Sequence, residues 1–225
     1  MAMPTTPPRA PSARALLVLS VLAGCGGPPP LGDASVPDAA LDGPGESARV
    51  SVTLEVEPES LEDDTTLERL VLGVREVRAP NDRANVVARV ERAIDLGTGS
   101  AEIMLTTATP GVYGEIEIEL ATGAWGPGLE LVLVEPDRRI ELVLEQRVEI
   151  EGRCGAPVEL VAGSTLAFHA RLDLASVAHV LRERALPAPV DGLIRVDADT
   201  APAVVSEVIE ELRRLELDCG EDDDG

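Results

Sequence analysis

"TPGVYGEIEIEL", residues 109–120, ends in six residues that alternate without a break: Ile116, Ile118 and Leu120 fall on one side, Glu115, Glu117 and Glu119 on the other. A period of two belongs to a β-strand with one face in a core and the other in water. The same rhythm runs through "VSVTLEVEP" from residue 50, where Val50, Val52, Leu54 and Val56 oppose Ser51, Thr53, Glu55 and Glu57. It continues in "LELVLV", "RIELVLE" and "RVEIEG", and in "TLAFHARLDL", which puts Leu166, Phe168, Ala170 and Leu172 on one face. Turn-forming clusters separate these runs: "APND" at 79–82, "GTGS" at 97–100, "TPG" at 109–111, "WGPG" at 125–128 and "EPDR" at 135–138. Many short strands divided in this way predict a mainly β fold, an antiparallel β-sandwich of immunoglobulin or prealbumin type.

Two stretches leave the β rhythm. "SVAHVLRERAL", 176–186, spaces Val177, Val180 and Leu181 as one face of a helix. "TAPAVVSEVIEELRRLEL", 200–217, lines up Val204, Val205, Val208, Ile209, Leu212 and Leu215, with Thr200 as a capping residue and Pro202 in the first turn. Helices are therefore predicted near 176–186 and 202–216, the second a C-terminal α-helix packed on the sandwich. "GLIRV" between them reads as a short strand.

The amino-terminal region follows different rules. Residues 1–14 carry Arg9 and Arg14 and no acid, and 15–23, "ALLVLSVLA", are apolar apart from Ser20. A spanning helix needs about 20 apolar residues. A basic stretch, a short apolar run and then small residues describe a secretory signal instead. "LAGC", Leu22 to Cys25, resembles the lipobox of bacterial lipoproteins. The resemblance implies cleavage before Cys25, a diacylglyceryl group on its sulfur and an acyl group on the new amine, and two or three chains anchor stably where one does not. Residues 26–47 contain ten Gly or Pro among 22 and four acids, a composition that cannot bury enough apolar surface to fold. The expected organisation is a signal peptide at 1–24, a disordered acidic tether at 25–47, a β-sandwich domain at 48–219 and a disordered acidic tail at 220–225. The implied location is the cell envelope. Gly26 stands where some lipoproteins carry an inner-membrane retention Asp, which favours the outer membrane over the inner.

Formal net charge is −22, from 41 acids against 19 basic residues that are all arginine. Such a surface repels phosphate backbones, so nucleic acid is not an expected partner. With Cys25 assigned to the anchor, Cys154 and Cys219 remain as an even pair in an oxidising compartment. A bridge would close a loop of ~65 residues and stabilise by roughly 4 kcal/mol; the alternative is two unpaired thiols.

The body resembles an uncharacterised family of bacterial lipoproteins with a prealbumin-like β-sandwich. The resemblance is carried by the strand at 50–57, "LVLGVREVRAP" at 70–80, "TPGVYGEIEIEL" at 109–120, "STLAFHARLDLASV" at 164–177 and "GLIRVD" after it. It implies a fold and names no activity.

No motif assembles a catalytic site, a metal site or a cofactor site. His169 and His179 stand ten residues apart, outside the spacings that hold metals; no nucleophile elbow or phosphate loop is present. The row Glu115, Glu117, Glu119, with Glu141, Glu145, Glu149 and Glu151, reads as a solvated acidic face, Ca²⁺ binding being the sharper alternative. Trp125 in a glycine-rich loop and Tyr113 after "TPGV" are the candidate ligand-binding residues, Trp125 as a stacking surface for a sugar. The expectation is thus a lipid-anchored envelope protein with a non-catalytic interaction or structural domain, not an enzyme. Its partners would be the membrane, through Cys25, and an envelope protein or a glycan. A carbohydrate- or calcium-binding adhesion module and an envelope hydrolase are the alternatives.

Overall fold

A computed structural model describes residues 47–57, 61, 64–97 and 99–221. The signal peptide at 1–24, Cys25, the tether up to residue 46 and tail residues 222–225 lie outside the described residues. Among those described are eleven strands and two helices, in the order β1 Arg49–Val56, β2 Thr66–Pro80, β3 Asn85–Asp95, β4 Ser100–Thr107, β5 Gly111–Leu120, β6 Leu129–Glu135, β7 Arg138–Leu144, β8 Val148–Leu160, β9 Thr165–Leu172, α1 Leu174–Glu183, β10 Leu193–Val196, α2 Pro202–Leu212 and β11 Arg214–Glu221. The alternating segments become strands with the expected faces inward: Val50, Val52 and Leu54 of β1, Ile116, Ile118 and Leu120 of β5, and Leu166, Phe168 and Ala170 of β9 are completely buried. All belong to one contiguous core.

The strands form one large mixed sheet in the order β10-β7-β6-β2-β5-β8-β11-β9-β1-β4, with β3 paired to β2. The expectation of antiparallel pairing needs correction. β1 runs parallel to β9 over eight residue pairs, and β10–β7 and β11–β8 are parallel as well. A parallel ladder requires a crossover connection rather than a hairpin, and each of these pairs joins strands far apart in sequence, so no turn signal reports their direction. β2 is long enough to take β6 along Thr66–Leu72, β5 along Val74–Arg78, and β3 along Val71–Pro80.

Two expectations about the C-terminal region also change. The helix expected at 202–216 ends at Leu212, and Arg214–Glu221 form a strand, so the last element is β11 and not a helix. Six residues of β11 pair with Leu166–Arg171 of β9; this ladder outweighs the helix propensity of "RLEL". Gly220 and Glu221, expected in a disordered tail, belong to the same strand. Thr200 does not cap α2, whose N-cap is Ala201 without a side-chain bond. Its hydroxyl instead donates to Asp197 Oδ1 at 2.9 Å, and that oxygen also accepts the backbone N–H of Thr200 at 2.9 Å and of Asp199 at 3.1 Å.

These bonds, first the Thr200 N–H and then its hydroxyl, hold the Asp197 carboxyl below its ordinary value of 3.8. A depressed carboxyl contributes stability above the unfolded-state value and loses it as pH falls through the folded one. Asp197→Ala should therefore destabilise by about 1 kcal/mol at pH 7, the size of a lost cap. In urea titrations the difference from wild type should shrink steadily once the pH drops below 3.8; an equal difference at every pH would contradict the account.

α1 is capped by Asp173, whose Oδ1 accepts the Ser176 N–H at 3.0 Å while Ser176 Oγ donates to Oδ2 at 2.6 Å. α1 buries Leu174, Val177, Ala178, Val180 and Leu181; α2 buries Val204, Val205, Val208, Ile209 and Leu212. Arg184, just beyond α1, grips Glu207 of α2 through two bonds of 2.7 and 2.6 Å. No helix of the described residues is long and apolar enough to cross a membrane.

Candidate functional site

Tyr113 and Trp125 were the residues expected to meet a ligand, and the fold uses both for its own packing. Tyr113 has no exposed surface, and its hydroxyl donates to the Thr109 carbonyl at 2.8 Å. Burial pushes its phenol above the ordinary range. It ties the "TPGVY" turn to the start of β5, which leaves nothing for a ligand to touch. Trp125 donates from Nε1 to the Ala121 carbonyl at 3.1 Å. Its ring lies over Gly123 and Gly73, where an added Cβ would collide with it. At Gly73 a Cβ would meet Trp125 Nε1 at 2.8 Å and the Ala121 carbonyl at 2.9 Å, besides the Pro127 carbonyl. Backbone cannot step aside as a flexible side chain can. Gly73→Ala should cost about 1–3 kcal/mol, read as a lower urea midpoint with an altered Trp125 emission spectrum; an unchanged midpoint would contradict the packing described.

The glutamates of β5 are interleaved with arginines. Arg78 reaches Glu76 at 2.6 Å, Glu117 at 3.1 Å and Glu149 at 3.2 Å. Glu119, almost wholly buried, is held by Arg147 at 2.9 Å and Arg75 at 3.1 Å. The antiparallel register sets Glu117 opposite Glu151 and Glu119 opposite Glu149. Like charges so placed repel, and the guanidinium groups relieve them. Among the described residues no group of three or more His, Cys, Asp and Glu side chains could hold a metal ion.

The arrangement with chemical potential is one that sequence reading missed. β9 lies between β1 and β11, and the parallel register sets His169 opposite Thr53, two positions from Glu55 on the same face. His169 Nδ1 donates to Glu55 Oε1 at 3.0 Å. A carboxylate accepts, so this bond places a proton on Nδ1 and fixes the orientation of the ring. The two line an open groove of about 430 Å³ with Arg171, Glu216, Leu217 and Asp218. Arg171 pairs with Glu57 at 3.2 Å and with Glu216 at 3.9 Å. An imidazole oriented by a carboxylate is the arrangement of a general base. No sequence signal could reveal it, because 114 positions separate the partners.

His179 is exposed on α1 and lines a second groove of about 530 Å³ with Asp173, Ser176, Glu207, Glu211 and Arg214. Burial raises the Asp173 carboxyl, and the bonds from Ser176 overcome this to leave it below its ordinary value. Ser176 is thereby engaged in capping α1. Cys154 of β8 and Cys219 of β11 are joined by a disulfide with Cα atoms 5.8 Å apart.

No family model matches the chain, and no solved structure matches it. A curated protein, ribosomal RNA small subunit methyltransferase G of Novosphingobium aromaticivorans, is 30% identical over 144 residues, which cover 60% of this chain and 60% of that protein. The chain thus spans less than two thirds of this relative's length. The finding overturns the expectation of a non-catalytic interaction or structural domain, and with it the expectation that the chain is not an enzyme: a relative by sequence bears an enzyme's name.

Proposed function

We propose that the chain is exported and held at a membrane by lipid on Cys25, with its β-domain outside the cytoplasm. The observation that carries this reading is the Cys154–Cys219 disulfide. A bridge of this kind persists in oxidising compartments, and it leaves Cys25, at the end of "LAGC", as the cysteine not committed to the β-domain. Gly26 after it favours the outer membrane over the inner. The body is an immunoglobulin- or prealbumin-like β-sandwich. In support, β11 pairs with both β8 and β9, and the inward faces of β1 and β9 share one core with those of β2 and β5.

The test is fractionation of cells making the wild type or Cys25→Ser. The wild type should sediment with membranes and resist salt washing, and the variant should be soluble. A wild type that washes off, or a variant that stays, overturns the proposal.

The comparison favours a second, compatible reading, in which the exported domain is an enzyme and methyl transfer is the reaction to assay first. RNA does not suit it as acceptor, because a chain of net charge −22 repels a polyanion. In this reading His169, its ring held by Glu55, takes a proton from the acceptor. Purified protein given a labelled methyl donor and envelope extract should label a fraction other than RNA, and His169→Asn should abolish the label. No label in any fraction, or label in ribosomal RNA alone, would contradict it.

A further inference from the structure

β3 and β4 follow one another through residues 96–99, a connection of hairpin length, yet no ladder joins them. Among the described residues β3 pairs with β2 and β4 with β1, so each turns a bare backbone edge towards the other. Glu91 of β3 has φ of 48°, a left-handed conformation on a residue that is not glycine. It sits where the β2–β3 register jumps, with Val74 opposite Arg92 and Glu76 opposite Arg89. Such a bulge bends a strand and ends its pairing. What remains between the two strands is a groove of about 260 Å³ whose lining includes Arg89, Val90, Arg92, Ile103, Met104 and Leu105. The Glu102 carbonyl on the edge of β4 is taken by Arg92 Nη2 at 3.2 Å instead of by a strand.

Charge marks the groove out. With 41 acids to 19 arginines, an arginine without a carboxylate partner is out of place here. Arg69, Arg75, Arg78, Arg138, Arg139 and Arg147 all have one. Arg89 and Arg92 show none among the described residues, which is also true of Arg49 and Arg83, but these two stand together in one groove that no acid lines. The neighbouring Glu102 carboxylate is turned to Ser51 Oγ at 3.4 Å. Leu105 is 53% and Val87 49% exposed, among the most exposed large apolar residues described.

We propose that this seam binds an extended acidic peptide strand of a partner protein. The peptide would complete the ladder between β3 and β4, set an apolar side chain against exposed Leu105, and bring carboxylates to Arg89 and Arg92. Main-chain bonds give affinity in such strand addition and alternate side chains give specificity. Of the nearby acids, Glu76 is paired with Arg78 and the Glu102 carboxylate is turned to Ser51, and the more distant ones are screened over ~8 Å at physiological salt.

The probe is a fluorescein-labelled eight-residue peptide alternating valine and glutamate, titrated with the full chain and followed by anisotropy. The same peptide with lysine for glutamate, and one with alternate backbone amides N-methylated, are the controls. The glutamate peptide should bind and both controls fail. Arg89→Glu with Arg92→Glu should weaken binding by about ten-fold or more and admit the lysine peptide. If that pair of changes lowers the melting temperature, Arg89→Gln with Arg92→Gln and exposed Leu105→Glu serve instead, each expected to weaken binding. Equal binding of the two charged peptides, no binding, full affinity in the variants, or displacement of the peptide by rising protein concentration (a second copy filling the seam) would each overturn the proposal.

Discussion

Phe168→Ala should be the most damaging single truncation in the core, costing about 4 kcal/mol. Phe168 is completely buried in β9 and stands in register with Val52 of β1 on one side and Cys219 of β11 on the other. Removing the ring empties space bounded by two neighbouring strands that cannot both close on it. For a domain of this size the melting temperature should fall by about 10 °C. Circular dichroism in a thermal ramp provides the measurement; a fall of only a degree or two would mean that the ring does not hold these strands together. The exposed Val190→Ala, 73% accessible, is the control, and its melting temperature should not move.

Loss of the disulfide ranks beside it. Cys154→Ala with Cys219→Ala removes a link between residues 65 apart, and a loop of that length stabilises by roughly 4 kcal/mol in the chain-entropy account. The position argues for the full effect. β8 and β11 share just two paired positions, Arg214 with Glu151 and Leu215 with Gly152, so the bridge reinforces a thin join between the strands on either side. The urea midpoint of the double variant should fall well below that of the oxidised wild type and match that of the reduced one. Equal midpoints in all three would show that the bridge adds nothing. Because Cys219 is the cross-strand neighbour of Phe168, the two losses should not add when combined.

What the residues disclosed, and what they hid, follows from the range of the forces involved. The inward faces of β1, β5 and β9 were legible because alternation is local, and burial follows from it position by position. β3 and β4 were not, since "ARVERA" scatters charge across both faces and Glu91 interrupts the period with a bulge. The end of α2 was misplaced because Leu and Glu favour a helix, while the partners that draw "RLEL" into a strand, β8 and β9, lie about 45 residues or more earlier. Parallel pairing between strands so far apart leaves no turn signal to report it, and with it went the approach of His169 to Glu55. Tyr113 and Trp125 were read as ligand-binding because a lone aromatic in a turn does not report its burial, and the seat of Trp125 depends on Gly73, a residue about fifty positions away that makes room for it. The non-catalytic reading rested on the lack of a local motif, and a constellation assembled across strands has none to show.

Lipid on Cys25 is tested most directly by the intact mass of the protein purified from its own membranes. The predicted result is a chain that begins at Cys25, heavier than its residues by a diacylglyceryl group and an acyl group, with Cys154 and Cys219 oxidised. A chain that retains residues 1–24, or that begins at Cys25 with a free thiol and amine, would contradict it.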